Sequence, residues 1–293
     1  MEGRGRDLNP GARLHRHGGQ GSEELIMGFF DFCMVDLGLL EATAKEYRRK
    51  LKRFFRAVKK PARDITAEDV RRFLKPLSMG NANTWGNMLK PLKRFFRDYM
   101  KKSEAVESFR FRKAPLKPLM VPSKDELRRF YGKLRTPIAR ALFLMYAATG
   151  LRRMELLSLR KGDVDWERRM IVPQNHAGET KRSWVTFFNE EAEEALGEYL
   201  KTRKDDSPKL FRISSHSFID VWRHAWQDSG VRVTPQVLRG WFCDEMGRLG
   251  VPDRYVDAFC GQLPKSVLAK CYSDFSPERL RDIYEQAGLR IMS

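Results

Sequence analysis

The segment Thr149 to Leu159, TGLRRMELLSL, is where residue types and spacing first suggest chemistry. Gly150 permits a turn, and beyond it Arg152, Glu155 and Leu156 fall about one helical turn apart, so that Glu155 can orient a nearby cationic side chain. Two short β signals follow, Arg169 to Pro173 and Ser183 to Phe188, around the turn NHAGETKR with His176 inside it and Lys181 near its far end. TPQVLRGWF then sets Arg239 near the start of a helical pattern, three residues after Gln236, and Tyr272 lies 33 residues further on in GQLPKSVLAKCYSDFSPERL. Guanidinium groups fork onto oxyanions, so the chemistry in view is that of an anionic substrate. Each residue alone has a plainer reading, Arg152 as a surface cation and His176 as a solvent-exposed imidazole; the motif needs its partners.

The elements that would carry these residues are mostly helical. The chain has 293 residues, 56 Lys+Arg against 38 Asp+Glu, and a formal net charge of +18, which points to a polyanion. A 42% hydrophobic content excludes wholesale disorder. Within Glu41 to Lys60, Ala44, Tyr47, Leu51, Phe54, Phe55 and Val58 mark one face of a 3.6-residue helix. The same window holds nine cations against Glu41 and Glu46. Thr66 followed by Glu68 and Asp69 reads as a helix N-cap with acids in the first turn. A second stripe, Trp85, Met88, Leu89, Leu92, Phe95, Phe96 and Tyr99, leaves Lys90, Lys93, Arg94 and Arg97 outside it. The stripes are core. Of the basic faces, Lys45, Arg48, Arg49, Lys52, Arg53, Arg56, Lys90 and Arg94 are the candidate nucleic-acid contacts, with solvated charge as the plainer alternative.

Residues 104–121, with two prolines and little periodicity, read as a linker. Ser123 with Glu126 forms a capping box ahead of a buried helix around Ala141 to Ala148. The expected organisation is therefore a flexible tail (1–22), a helical domain (23–103), the linker, and a second domain (122–293) of mixed, mainly helical α+β class. The longest nearly uncharged apolar stretch, Ala141 to Leu151, is too short for a membrane span of about 20 residues. No secretory signal is readable, so the expected location is the cytoplasm. Cys33, Cys243, Cys260 and Cys271 contain no C-x-x-C pair, which argues against a zinc or thioredoxin-type motif and for inert thiols. Asn and Gln number six each beside 32% charged residues, a balance found in hyperthermophile proteins, among which intracellular disulfides also occur.

In order, T-G-L-R-x-x-E-L, a hairpin lysine, T-P-x-x-L-R and a tyrosine beyond them resemble the catalytic constellation of tyrosine recombinases, the phage-type integrases. The likeness covers about Pro122 to Ser293, and the preceding helical segment is similar to that family's core-binding domain. The long gap from Arg152 to Lys181 and the ending KSVLAKCYSDFSPERLRDIYEQ look most like archaeal, fusellovirus-type integrases. The resemblance implies Arg152, Lys181, Arg239 and Tyr272 as catalytic residues, with Tyr272 the nucleophile, and Gln236 and Gln262 beside them. It implies double-stranded DNA as substrate, a homotetramer on two DNA sites, no metal, no cofactor and no ATP; the state of the chain in free solution, a monomer among the alternatives, stays open.

The physical reading of the residues agrees. A phosphodiester repels nucleophiles and gains charge in the transition state, which two permanently charged guanidinium groups answer. Tyr272 would supply the attacking oxygen and Lys181 the proton for the leaving 5′-oxygen, with His176 as the rival acid. Where the family commonly carries histidine, this chain has Gln236; where it carries His or Trp after a glycine, it has Gln262. Glutamine can donate a hydrogen bond but cannot exchange a proton, so slower chemistry is expected. Tyr255 and Tyr284 compete with Tyr272; Tyr284 sits on a helix capped by Ser276 and Pro277, with Leu280, Ile283 and Ala287 on its apolar face. That helix packs on its own domain or docks on a neighbouring copy. Two other functions remain open at this point: a type IB topoisomerase-like relaxing enzyme, and a DNA-binding architectural protein that has lost turnover.

One feature belongs to the gene. Arg6 to Pro10, RDLNP, has a codon choice, CGGGATTTGAACCCG, whose reverse complement contains GTTCAAATC, like the T-arm of a tRNA gene. In fusellovirus-type integrases the attachment site lies inside the integrase gene, so the tail is read as peptide written by that site.

Overall fold

The computed structural model describes residues 22–80, 82–113, 120–173, 185–262 and 273–293. The tail and residues 174–184 and 263–272, which include His176, Lys181, Cys271 and Tyr272, lie outside the described residues. Two compact units divide the chain between residues 117 and 118.

The first unit is helical: α1 (Ser22–Val35), α2 (Glu41–Val58), α3 (Ala67–Ser78) and α4 (Ala82–Lys93), which runs into a π-helical turn, Arg94–Tyr99. The 3.6-residue stripe of α2 buries Ala44, Tyr47, Leu51, Phe54 and Phe55. The Thr66 hydroxyl accepts the Asp69 N–H while the Asp69 carboxylate accepts the Thr66 N–H, closing a capping box at α3. In the π turn the Met100 N–H reaches back five residues to the Phe95 carbonyl (2.8 Å), and the turn lets consecutive Phe95 and Phe96 both point inward. They join Phe29, Phe54 and Phe55 in an aromatic core with centroids 5.0 to 5.8 Å apart, mostly edge to face.

The linker expected over residues 104–121 is in part core. Ala105, Val106 and Phe109 are buried against this unit, the Trp85 indole N–H donates to the Arg110 carbonyl (3.1 Å), and the Arg112 guanidinium lies over the Trp85 ring at 4.6 Å. Sparse apolar residues without periodicity suffice when the core they join is built by residues distant in sequence.

In the second unit, α5 (Lys124–Tyr131) opens with the Ser123–Glu126 capping box. It leads to α6 (Pro137–Thr149), buried along nearly its whole length. Two helices sandwich α6: α8 (Glu190–Lys201) and α10 (Pro235–Arg248). Short α7 (Arg153–Ser158) follows α6, and α9 (Ser215–Ser229), α11 (Asp253–Phe259) and α12 (Pro277–Ala287) complete the unit. A small antiparallel sheet in the order β1–β2–β3 joins Val164–Asp165, Met170–Ile171 and Thr186–Phe187, with Met170 opposite Phe187 and Ile171 opposite Thr186. β2 and β3 lie within the two expected β segments; β1 carries no signal in the sequence, because two residues give no alternation. α12 packs on its own unit: Leu280, Ile283 and Tyr284 are buried, and the Tyr284 hydroxyl donates to the Ala148 carbonyl at 2.8 Å. Among the described residues no helix is long and apolar enough to cross a membrane.

Candidate active site

The turn from α6 to α7 positions the first arginine. Gly150 has φ +63°, and a Cβ there would stand 2.6 Å from Phe242 Cδ1 and 3.0 Å from Cys260 Sγ, so both the left-handed backbone and the close packing on α10 require glycine. The turn is pinned by three side chains. Thr149 Oγ1 accepts the Leu151 N–H (3.2 Å), Thr186 of β3 donates to the Thr149 carbonyl (2.8 Å), and Tyr284 holds the Ala148 carbonyl.

Arg152 ends this turn as the N-cap of α7. The Glu155 carboxylate, 7% exposed, accepts the Arg152 backbone N–H (2.8 Å) and its Nη1 (2.7 Å), fixing both ends of the residue. Arg239, on the second turn of α10 and also 7% exposed, is held by carbonyls: Nη1 donates to Gly150 (2.6 Å) and Nη2 to Cys260 (2.8 Å). One arginine thus locks the turn that presents the other. A cleft of about 420 Å³ is lined by Arg152, Arg239 and Gln236 on one side and by Phe218, Ile219, Trp222 and Trp226 of α9 on the other. Arg153, Arg223 and Arg232 also reach it, Arg153 over the Phe218 ring (4.9 Å) and Arg232 over Trp226 (5.1 Å). In the sequence, the i, i+4 spacing of Phe218, Trp222 and Trp226 is the one signal for this wall, and nothing marks these three arginines as its neighbours.

Of the other expected site residues, Gln236 is exposed in the first turn of α10, and Gln262 is exposed two residues beyond Cys260, its N–H bonded to the Asp257 carbonyl (2.8 Å). Lys181 and Tyr272 fall outside the described residues, so their place is not part of this geometry. Both rival tyrosines are packed. Tyr284 is buried with its hydroxyl engaged, and burial pushes that phenol far above its usual range. Tyr255, 6% exposed, lies between the Arg254 guanidinium and the Phe275 ring. No group of three or more acidic, His or Cys side chains stands ready for a metal ion among the described residues.

The candidate DNA face of α2 is more paired than its charge count suggests. Lys45 meets Glu41 at 2.8 Å, Arg49 meets Glu46 through two nitrogens, and Lys52 meets Glu23 at 2.8 Å. Arg48 lies over the Phe30 ring, and Arg94 on the π turn bonds Asp98 (2.8 Å). Arg53, Arg56 and Lys90 are exposed and make no ion pair among the described residues.

Partly buried Arg152 on the α6–α7 turn and buried Arg239 on α10 share one cleft in a mainly helical unit with a three-stranded sheet, and comparison with known proteins says which family such a unit belongs to. Residues 123–277 match the phage integrase family and residues 26–103 its N-terminal SAM-like domain. The tyrosine recombinase XerA of Thermococcus onnurineus (strain NA1) is 30% identical over 239 residues, covering 77% of this chain and 83% of that protein. That of Pyrococcus horikoshii is 27% identical over 266 residues, 86% and 90% of the two chains. A lambda integrase tetramer bound to a Holliday junction shares the fold with a TM-score of 0.65 at 16% identity, over 93% of this chain and 80% of that one. The chain belongs to the phage integrase family and is a tyrosine recombinase.

Proposed function

We propose that this enzyme cleaves and rejoins duplex DNA at a specific site through a 3′-phosphotyrosyl intermediate. Arg152 and Arg239 hold the non-bridging oxygens of the scissile phosphate, and Gln236 donates a further hydrogen bond to them. The Tyr272 oxygen attacks phosphorus, the P–O5′ bond breaks, and Lys181 gives its proton to the leaving 5′-oxygen. The new ester conserves the bond energy, so a 5′-hydroxyl from another strand reverses the steps without ATP. The observation that carries this reading is that Arg152, Gln236 and Arg239 line one cleft, with both arginines immobilised by buried acceptors.

Recombination needs four strand cuts, so the working form is a tetramer on two sites, as in the lambda integrase assembly on a Holliday junction. The target is a tRNA gene, a reading that rests on the T-arm-like coding potential of Arg6 to Pro10; other codons at those positions in the gene end it. The basic side chains Lys45, Arg48, Arg49, Lys52, Arg53, Arg56, Lys90 and Arg94 contact DNA phosphates.

A nicked suicide duplex carrying the tRNA-gene sequence tests the chemistry. Wild type should accumulate a covalent DNA adduct that maps to Tyr272, and Tyr272→Phe should give none while still binding. Binding without any adduct in wild type, across temperature and salt, contradicts the proposal. Exchange between two marked duplexes separates recombination from topoisomerase-like relaxation.

A further inference from the structure

Behind the arginine pair lie two thiols that the strand-transfer chemistry does not use. Cys243, in the middle of α10 one turn beyond Arg239, and Cys260, directly after α11, place their sulfurs 3.4 Å apart. Both are free thiols. Cys260 is fully buried and its carbonyl is an Arg239 acceptor, whereas Cys243 is partly open. Nothing in DNA cleavage requires two sulfurs in contact, and two packed thiols, one within a helix and one at the end of another, are what an intramolecular disulfide needs.

We propose that Cys243 and Cys260 form a thiol–disulfide exchange site, which a small-molecule disulfide oxidises to an internal bond stapling α10 to the end of α11. The two cysteines have unequal roles. The hydrogen bond from Cys260 and the nearby Arg239 charge hold the Cys243 thiol below its usual range, even against its burial. The same hydrogen bond and deep burial push Cys260 well above it. Cys243, more exposed and more readily ionised, is therefore the attacking sulfur. Its thiolate displaces one half of a disulfide R–S–S–R, forming Cys243–S–S–R and releasing R–S⁻, which takes up a proton. Cys260 then loses its proton and attacks the Cys243 sulfur, closing the internal bond and expelling the second R–S⁻. Two protein thiols are oxidised and one external disulfide is reduced to two thiols, so electrons and protons balance.

The remaining cysteines lack this arrangement where they are described. Cys33 is buried in the other unit, and burial pushes its thiol up to about 11. The new bond would close a loop spanning 17 residues, restricting the unfolded chain. It would also tie down the backbone that holds Arg239. Its expected effect is a rise in the melting temperature of the catalytic unit of roughly 5–10 °C.

The test needs no DNA. The full chain is equilibrated with oxidised or reduced glutathione, quenched with acid, unfolded in denaturant with a maleimide that caps every free thiol, and then digested and mapped by mass spectrometry. Oxidised wild type should show a Cys243–Cys260 cross-linked peptide pair, with Cys33 capped, and a higher melting temperature reversed by dithiothreitol. Cys243→Ser should show neither change. Capping of Cys243 and Cys260 after oxidation, a glutathione adduct that stays on Cys243, or a cross-link to Cys33 or Cys271 instead would each overturn the proposal. The mapping on wild type stands whether or not the variant folds.

Discussion

The first unit and the proposed catalytic centre handle positive charge in opposite ways. On α2 the cations are numerous, mostly solvent-facing, and shared with neighbouring acids such as Glu41, Glu46 and Glu23. In the second unit Arg152 and Arg239 are two charges held by buried acceptors at 2.6 to 2.8 Å. Exposed side chains adjust to a phosphate backbone and give affinity that decays with salt. Immobilised guanidinium groups need no reorganisation when charge develops on a phosphate, and that is what accelerates a reaction. Abundance suits binding; fixation suits catalysis.

The comparison predicts a separation of effects. The largest belongs to Arg239→Lys, which keeps the charge but loses the fork that spans the Gly150 and Cys260 carbonyls. Single-turnover cleavage should fall by about 100- to 1,000-fold, with DNA affinity within a few-fold of wild type. Arg53→Ala combined with Arg56→Ala should do the reverse. Titration against salt should show affinity weakened by roughly tenfold and a log–log slope shallower by about 2, with cleavage at saturating protein unchanged.

The smallest effect concerns the capping box that opens α3 in the first unit. Lys60 and the Thr66 backbone hold the Asp69 carboxyl down to about 2, from an ordinary 3.8. A lowered carboxylate contributes stability that is present above the unfolded value and lost as pH falls through the folded one. Asp69→Asn should therefore cost about 1 kcal/mol at neutral pH by thermal unfolding. That difference should shrink between about pH 4 and pH 2, as wild type loses the same contribution.

How far the sequence carries depends on the range of the interaction. The α2 stripe and the Thr66 and Ser123 caps are local, readable at separations of three or four residues. The Arg152–Glu155 pairing was legible for the same reason. That Arg239 grips the Gly150 carbonyl was not, because those residues are 89 apart and no pattern links them. The same limit hid the α9 wall of the cleft, and it made Val106 and Phe109 look like linker although both are buried in the core of the first unit. The two thiols, 17 residues apart, one in α10 and one just past α11, fit no short cysteine motif and read as inert. In the first unit the sequence shows where the charge is; only the fold shows how much of it Glu46 and Glu23 already occupy.

The most direct measurement places Arg239→Lys beside the Arg53→Ala/Arg56→Ala double variant, recording equilibrium binding and single-turnover covalent adduct formation on the same suicide duplex at two salt concentrations. The account predicts a crossed result: adduct formation collapses in the first variant with binding and salt slope retained, and binding and slope fall in the second with adduct formation at saturation retained. Parallel losses of binding and cleavage in both variants would contradict the division between a binding face and a fixed catalytic pair.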